Sequence, residues 1–567
     1  MSPFSSLVNS ILFHTGSMLG YAFRNDYIRK AKNGKRTSEK TILKILETSK
    51  NTVYGKKYDF SNIHSIADFQ KNVPLSLYDD YREYIEETVK NGTQHLICGH
   101  KIIYFAATSG TTTAKKLIPQ STVTFPAYFK IICIYLNDLA KALRSRGVPS
   151  FNAKGFLVTE MSNSTKDDGD DTDTGAISFF FANGLKLFIP SFTQLPKEII
   201  GSGKINNKQY IKSRYAIQDP SLNYIGGIFT TAIADSINYI EDNHEMLIKD
   251  IEKGIIDPSI DISDSMRNKL ESKLKPDPKR AEELRKIFST ESDVPLLSRI
   301  WKNMSYICSV GSADFEPFTK RILSLCKDDV VFSYGAYAAS EALMACAVKT
   351  DDPNYLLLVD NAFFEFIPVD KEAAEIDRPL LINEVEVGKL YEIIVTNKSG
   401  LYRYKIRDVV RIAGFEGETP YIEFVYRANF VTDLCGAHIT GEHLAAGLKA
   451  IEDKFDLNAL DFSIYADKDT RNPHLDLFIE LDREVDPDMI IDLEKAFDDA
   501  MRKSSWDYEC CRKDNIIKLA KLLIVKKGTY TEYRNMKISQ GFSTNQLKAV
   551  RLIDNEEKLK YFKNAVK

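Results

Sequence analysis

The sequence has none of the marks of a nucleic-acid-binding, secreted or membrane-spanning protein. Its net charge is -3 and its pI is near 6.3, so it has no excess of basic residues to meet a phosphate backbone. The eight cysteines are scattered, and the adjacent pair Cys510-Cys511 has neither metal-binding spacing nor companion histidines. Ser, Asn, His and Gly interrupt the apolar run from Ser6 to Phe23, and no basic residue precedes it. We therefore expect a cytoplasmic protein with reduced thiols, no nucleic-acid partner and no stable membrane insertion. The N-terminal run is expected to be an amphipathic helix packed on the body.

Two familiar ligand-binding loops are also missing. A Walker phosphate loop needs a second glycine directly before its lysine, and no such glycine precedes Lys115. The acidic segment 167–173 has its glycine at the wrong position for a calcium loop, and no glutamate closes it. That segment is interpreted as a solvated surface loop. No internal repeat is evident, and the length allows several domains.

The most distinctive stretch is Thr108-Ser-Gly-Thr-Thr-Thr-Ala-Lys-Lys-Leu-Ile-Pro119. It follows an apolar run at 101–107, which predicts a buried strand, and it precedes a helical pattern from Phe125 to Leu143. A strand that ends in a glycine and five hydroxyls before a helix presents backbone amides and short donors to one point. That geometry suits a polyphosphate, to which Lys115 and Lys116 would add positive charge. Taken alone, such a run is more often a polar surface turn than a phosphate site.

The order of the predicted elements indicates an α/β fold in the first part of the chain. Residues 24–100 are expected to be mostly helical, and strands then alternate with helices over some 230 residues. The predicted strands lie at 101–107, 154–159, 224–231, 305–310 and 329–333. Since ligands bind beyond the carboxyl ends of strands in such sheets, the polar strand ends at 108, 311 and 335 are predicted to converge on one crevice.

The character of the chain changes twice more. Five β-like segments follow one another with few helical interruptions, which predicts an antiparallel sheet or a partial barrel at about 355–427. Beyond it, the spacing of Leu444, Leu448, Ile451 and Phe455 predicts a helix within a small α+β domain. We therefore expect a large N-terminal domain at 1–427, with the β-rich subdomain at its end, and a small C-terminal domain at 428–567.

Three sequence motifs could serve a nucleotide together: Thr108-Ser-Gly-Thr-Thr-Thr, Tyr337-Ala-Ala-Ser-Glu341 and Tyr402-Arg-Tyr-Lys-Ile-Arg-Asp408. Tyr337 offers a flat face to an adenine ring. Glu341 is a hard carboxylate of the kind that Mg²⁺ takes alongside phosphate oxygens and water. Asp408 has two acceptor oxygens for two ribose hydroxyls. Singly, each is more often a core aromatic or a solvated carboxylate.

In this order and spacing, the motifs resemble the acyl-adenylate-forming superfamily. More closely, they are similar to the Gretchen Hagen 3 (auxin-responsive) acyl-acid amido synthetases of plants and their bacterial relatives. Phe364-Glu-Phe-Ile-Pro368, Arg427 and Asn545-Gln-Leu-Lys548 extend the resemblance over nearly the whole chain. It implies a C-terminal domain that swings and a ligase that adenylates a carboxylic acid with ATP and Mg²⁺. It further implies that an amine, typically an amino acid, then displaces AMP to form an amide.

The resemblance also assigns the site residues. Glu341 and Lys548 would be catalytic, with Glu341 holding the metal and Lys548 reaching the site only for adenylation. The nucleotide would be held by Thr108, Ser109, Gly110, Thr111, Thr112, Tyr337, Ser340, Asp408 and Arg427. The acid pocket would draw on helix 125–135 and on segments 226–231 and 309–315. We expect a monomer or a weak dimer.

One position departs from the family pattern. The third motif normally has glycine directly before its aspartate, where this chain has Arg407. Arginine blocks conformations that are open to glycine, so Arg407 puts full activity in doubt while Asp408 preserves nucleotide binding. Two alternatives stay open: an acyl-CoA ligase that shares the adenylation step, and a degenerate nucleotide-binding protein without turnover.

Overall fold

The fold was determined from a computed structural model, which divides the chain into two compact units. It describes residues 3–108, 116–149, 153–158, 174–175, 193, 195–196, 208–312, 315–369, 378–427, 432–435, 437–468, 473–540 and 549–567. The first unit comprises residues 1–315, 319–406 and 412–423. The second comprises 316–318, 407–411 and 424–567. The domain bounds drawn from the sequence remain a prediction.

The part of the chain before residue 325 is rich in helices, as the sequence predicted. They are α1 Pro3–Lys32, α2 Gly34–Ser49, α3 Val53–Lys57, α4 Ile66–Asn72, α5 Arg82–Asn91, α6 Thr124–Ser145, α7 Lys208–Gln218, α8 Thr230–Lys253, α9 Asp264–Glu271, α10 Pro278–Ser289, α11 Leu296–Ile300 and α12 Glu316–Ser324. Local chemistry explains individual boundaries. Helix α10 starts where Asp277 accepts a hydrogen bond from the Arg280 amide and Pro278 takes a position that needs no amide donor. Among the described residues, no helix is both long and apolar enough to cross a membrane.

The described strands that precede residue 428 form three sheets. They are β1 Ile102–Thr108, β2 Lys116–Ser121, β3 Gly155–Leu157, β4 Thr174–Gly175, β5 Tyr224–Phe229, β6 Tyr306–Val310, β7 Val331–Ser333, β8 Ala336–Ala338, β9 Leu343–Cys346, β10 Tyr355–Leu357, β11 Phe363–Pro368, β12 Leu390–Thr396, β13 Tyr404–Glu416 and β14 Thr419–Arg427. Strands β3, β5, β6 and β7 pair in parallel in that order. The turns at Gly311 and Gly335 follow the neighbouring strands β6 and β7, so these two predicted polar strand ends lie at one sheet edge.

The segment around the Ser/Thr/Gly run differs from the prediction. Strand β1 pairs antiparallel with β2, with Thr108 opposite Lys116, and β4 pairs in parallel on the other side of β1. The run at 109–115 therefore connects the two strands of a hairpin, whereas the sequence had predicted a direct passage from strand to helix. Helix α6 begins only after β2, in agreement with its predicted position.

The β-rich segment forms a seven-stranded sheet in the order β11-β12-β13-β14-β10-β9-β8. Strand β11 pairs antiparallel with β12, β10 with β14 and β9, and β8 with β9. The predicted antiparallel sheet is confirmed, and it begins earlier than expected because β8 and β9 belong to it.

The second unit contains a small α+β fold, as predicted. Its elements are β15 Thr432–Leu434, β16 Ala437–Ile439, α13 Gly441–Phe455, β17 Ala459–Asp467, β18 His474–Leu481, α14 Ile490–Ser504, α15 Trp506–Lys513, β19 Lys521–Ile524, α16 Thr529–Ser539 and α17 Glu556–Ala565. Strand β18 lies between β17 and β19. Alternate residues of β18 support two apolar clusters: Leu475, Leu477 and Ile479 pack in one, and Phe478 packs in the other.

Candidate functional site

Three of the predicted site residues lie on one hairpin. Tyr337 is in β8, and Ser340 and Glu341 form the tip between β8 and β9. The tip is closed by the amide of Ala339, which donates to the carbonyl of Ala342 at 2.9 Å. All three predicted side chains are partly exposed. The hairpin therefore presents an aromatic face, a hydroxyl and a carboxylate within five residues.

Two side chains hold this tip through its main chain. Gln120 of β2 donates from Nε2 to the carbonyl of Ser340 at 2.8 Å, and Asn397 donates from Nδ2 to the carbonyl of Glu341. The Oδ1 of Asn397 accepts from the amides of Ser399 and Leu401, at 2.8 and 3.1 Å, so its NH₂ group must face the tip. Sequence reasoning missed both residues, since nothing in their local pattern marks them. Through Gln120, the hairpin that carries the Thr108 loop is tied directly to the Glu341 tip.

Tyr355 joins the turns after β6 and β7, and its ring lies beside that of Tyr337. Tyr355 of β10 donates its hydroxyl to the carbonyl of Tyr334 at 3.1 Å, and the Ser312 hydroxyl lies 3.4 Å from it. The rings of Tyr337 and Tyr355 have centroids 6.1 Å apart at a tilt of 42°. Gly335, which lies between Tyr334 and Tyr337 in the sequence, has φ +70°, a conformation that favours glycine. Two of the three predicted strand ends are thus joined to the Tyr337 hairpin.

The electrostatic neighbour of Glu341 is Tyr128 on helix α6. Burial raises the pKa of the Tyr128 phenol, and the negative charge of Glu341 raises it further. Tyr128 therefore stays protonated and uncharged beside the carboxylate at neutral pH.

The residues present fit a magnesium ion at Glu341. Among the described residues, the only group of three His, Cys, Asp or Glu side chains close enough to share a metal is Asp467, His474 and Asp476 in the second unit. Glu341 thus belongs to no protein-only cage. Mg²⁺ is commonly bound by one or two carboxylates that share it with substrate phosphates and waters, and a partly exposed carboxylate on a firmly held turn suits that role.

Asp408 lies in β13, and only 4% of its surface is exposed. The exposed residue before it, Arg407, has φ +64°. The expectation that arginine would block the glycine conformation here is wrong: Arg407 adopts that conformation. The main chain of the motif is therefore kept in the form that a glycine would favour, at a cost in strain.

The start of the same motif is held by buried tyrosines. Tyr402 is fully buried and stacks on Tyr54, with centroids 5.0 Å apart at 13°. The Tyr81 hydroxyl accepts from the amide of Tyr402 and donates to its carbonyl, each at 2.9 Å. The Ser76 hydroxyl also donates to that carbonyl, at 2.7 Å. Tyr402 is thus a framework residue that fixes where β13 begins.

Arg403 adds a buried ion pair to this framework. Its guanidinium donates to both carboxylate oxygens of Glu365, at 2.9 and 3.0 Å, and to the carbonyls of Gln70 and Val73. The side chains of Arg403 and Glu365 are 5% and 1% exposed. Like Arg407, Arg403 has a positive φ, +47°. Nothing in the local sequence distinguishes this structural arginine from a nucleotide ligand.

Other predicted site residues can be placed only in part. Thr108 ends β1 and Arg427 ends β14, and only their main chains are described. The remaining predicted residues lie outside the described residues: Ser109, Gly110, Thr111, Thr112 and Lys548, together with the acidic segment 167–173.

The described parts of the predicted acid pocket include an aromatic pair. Residues Gly226 to Phe229 at the end of β5 are partly exposed. The rings of Phe229 and Phe315 stack 5.0 Å apart at 18°. Both rings therefore offer an aromatic surface near the sheet edge that carries Gly311 and Gly335.

Comparison with known proteins gives consistent matches over the whole chain. The GH3 family N-terminal domain matches residues 24–331, its central domain 355–427 and its C-terminal domain 442–557. The jasmonoyl-L-amino acid synthetase JAR6 of Nicotiana attenuata is 26% identical, with 92% of this chain and 91% of that protein covered. The 4-substituted benzoates-glutamate ligase GH3.12 of Arabidopsis thaliana is 25% identical, with 94% of this chain and 95% of that protein covered. The solved structure of the AtGH3.15 acyl acid amido synthetase in complex with 2,4-DB has a TM-score of 0.82 at 22% identity and covers 96% of both chains. That structural likeness establishes the fold.

Proposed function

Because the chain belongs to the GH3 (Gretchen Hagen 3) family, we propose that it is an acyl acid amido synthetase. It activates a carboxylic acid with ATP and joins the acyl group to an amine. The relatives named above are amino-acid-conjugating ligases, so the acceptor is proposed to be an amino acid. The protein is proposed to act in the cytoplasm as a monomer or a weak dimer. The family resemblance seen in the sequence is confirmed by these matches.

The observation that carries this proposal is the Tyr337–Glu341 hairpin. Its tip is held by Gln120 from the strand that follows the Ser/Thr/Gly loop, so the loop and the carboxylate are built into one framework. Adenylation needs a phosphate-binding loop near a metal-binding carboxylate, because the acid and ATP are both anionic. The same tip presents the partly exposed carboxylate of Glu341, which a merely structural hairpin would not need.

In the first step, an oxygen of the acid attacks the α-phosphorus of ATP, and the bond to the bridging oxygen breaks to release pyrophosphate. We assign Thr108, Ser109, Gly110, Thr111 and Thr112 to the phosphates, Tyr337 and Ser340 to the adenine side, Asp408 to the ribose and Arg427 to the nucleotide. These residues would hold the attacking oxygen and the phosphorus in line, which removes much of the entropic cost of the reaction.

Glu341 would hold Mg²⁺ at this site. When bound, the ion would neutralise charge on the phosphates. The main-chain hydrogen bonds to the tip keep the carboxylate in place. Tyr128, which stays protonated, adds no negative charge near it.

In the second step, the amine attacks the acyl carbon and AMP leaves, taking the electron pair of the bond between that carbon and the phosphate oxygen. The amine nitrogen gives up a proton to the solvent as the amide forms. Lys548 is proposed to serve adenylation alone, because the site must first exclude water and then admit the amine. The body of the acid is proposed to be apolar and to lie against Phe229 and Phe315. The acyl-CoA ligase alternative differs only in the acceptor.

Pyrophosphate exchange with a panel of carboxylic acids tests the proposal. We expect exchange with a subset of apolar acids, followed by amide formation when amino acids are added. Pyrophosphate exchange together with formation of a thioester from coenzyme A, and without formation of an amide, would favour the acyl-CoA ligase alternative. No exchange with any acid would favour a binding protein without turnover.

Glu341→Ala sharpens the test. It should abolish Mg²⁺-dependent exchange without unfolding the protein, because the tip is held through its carbonyls. Glu39→Ala, on the exposed face of α2, is the matched control and should exchange normally. Normal exchange in Glu341→Ala would remove Glu341 from the metal role.

A further inference from the structure

A separate cavity lies on another face of helix α6. It has a volume of about 230 Å³. Its apolar wall is formed by residues of α1, α6, β9 and the segment after β10, among them Phe23, Ile131, Ile134, Leu343 and Leu358. All these residues belong to the first compact unit. A cavity of about 150 Å³ already holds a benzene molecule, so this one has room for a single ring or a short chain with a polar head.

Two aspartates line the cavity, and both form ion pairs. Asp26 and Asp360 flank Lys30, whose ammonium lies 2.6 and 2.8 Å from their carboxylates. Asp26 also pairs with Arg29. Neighbouring cations thus offset part of their negative charge.

The remaining charge of the cavity wall is positive. Lys130 and Lys398 both line the cavity. Lys398 is partly buried, and its ammonium donates one hydrogen bond, 2.8 Å long, to the carbonyl of Asp360. An ammonium has three donors, so this bond leaves capacity for a ligand.

The setting of Lys398 is unfavourable for a cation. Burial lowers its pKa, the carboxylate of Asp360 opposes the effect, and the charges of Lys130, Lys44 and Lys30 lower it further. A bound anion would relieve this repulsion and satisfy the free donors.

We propose that this cavity is a second binding site, which takes a small carboxylate with an apolar body. The carboxylate lies against Lys398 and Lys130, and the body packs on Phe23, Ile131 and Leu358. The combination of two lysines with a wall that is mostly apolar favours an organic monoanion over both a neutral hydrocarbon and inorganic phosphate.

This cavity shares helix α6 with the predicted acid pocket, but Phe229 and Phe315, on which the acid is proposed to lie, do not line it. Ala127, Ile131 and Ile134 repeat at helical spacing and line the cavity. The charge of Glu341 raises the pKa of Tyr128. By its position in the helix, Tyr128 lies on a different face of α6 from these three residues. The inference does not depend on amide synthesis, because a binding measurement tests it.

Methyl NMR with 4-fluorobenzoate as the probe reads this site locally. On isoleucine-methyl-labelled protein, the signals of Ile131 and Ile134 should shift on titration. Lys398→Gln should weaken that binding at least tenfold, and Lys40→Gln, an exposed lysine of α2, should leave it unchanged. 4-Fluorotoluene, which has the same ring without the charge, should bind much more weakly.

Ala127→Phe provides a second variant, since the larger ring fills the cavity and should abolish the shifts in a folded protein. The proposal is overturned if the two methyl signals do not move with 4-fluorobenzoate. It is equally overturned if Lys398→Gln and Ala127→Phe bind the probe like the wild type, or if 4-fluorotoluene binds as well as the carboxylate.

Discussion

Replacing Arg407 by glycine tests whether this arginine is a strained stand-in for a glycine or a sign of lost activity. Arg407 has φ +64° directly before Asp408. A residue with a Cβ atom pays roughly 1–2 kcal/mol in this left-handed conformation. Glycine escapes that strain, but its greater freedom in the unfolded chain costs roughly 0.4–1 kcal/mol. The difference predicts that glycine is more stable than a residue with a Cβ atom by about 0.5–1 kcal/mol.

The arginine side chain makes contacts of its own, so Arg407→Gly must be compared with Arg407→Ala. Both variants remove the guanidinium, and only glycine removes the Cβ atom. The difference between them therefore isolates the strain. Urea titrations of the two variants, with unchanged slope, would give this difference from their midpoints.

The result would refute the reasoning if the glycine variant were equal to or less stable than the alanine variant. Pyrophosphate exchange gives the functional half of the test. Because the wild-type main chain already has the glycine conformation, Arg407→Gly should change the exchange rate only modestly. A rise of several orders of magnitude would instead show that the native chain is a degraded enzyme.

Three further results are expected. Arg403→Met should destabilise the protein by about 3–5 kcal/mol in urea titrations, because it leaves the buried Glu365 carboxylate unpaired; adding Glu365→Leu should restore part of the loss, and a double variant as unstable as the single one would contradict this account. Asp408→Ala should weaken ATP binding by roughly 2–3 kcal/mol in calorimetry, since a charge-assisted contact to the ribose is lost; unchanged affinity would place the ribose elsewhere. Lys548→Ala should lose pyrophosphate exchange yet still convert a supplied acyl-adenylate to amide; equal loss of both half-reactions would make the lysine a shared or structural residue.

The sequence predicted the fold class well because the main signals are local. The helix at 125–143, the strands of the parallel sheet and the succession of β segments after residue 355 all follow from the spacing of apolar residues. Strand β2 escaped this reasoning. It is short and contains Pro119, which is tolerated because β2 is an edge strand of its sheet.

Only the site residues that belong to local sequence motifs were predicted. Tyr337, Ser340 and Glu341 are close in sequence, and the structure places them on one hairpin. Gln120 and Asn397 hold that hairpin from positions far away in the chain, and no local pattern reveals such a pair. Similarly, Tyr402 and Arg403 belong to a motif that resembles a nucleotide-binding motif. Their contacts with Tyr54, Tyr81 and Glu365 show that they stabilise the fold around it.

The way the Ser340-Glu341 tip is held bears on how this family of sites changes over evolutionary time. Gln120 and Asn397 grip carbonyl oxygens, which every amino acid possesses. A mutation at position 340 or 341 therefore changes the side chain that faces the site, while the main-chain hydrogen bonds keep the shape of the turn. A single substitution can therefore replace or remove the metal ligand without any change in the structure of the loop. The same property makes these two positions the natural place for a library that seeks altered metal preference.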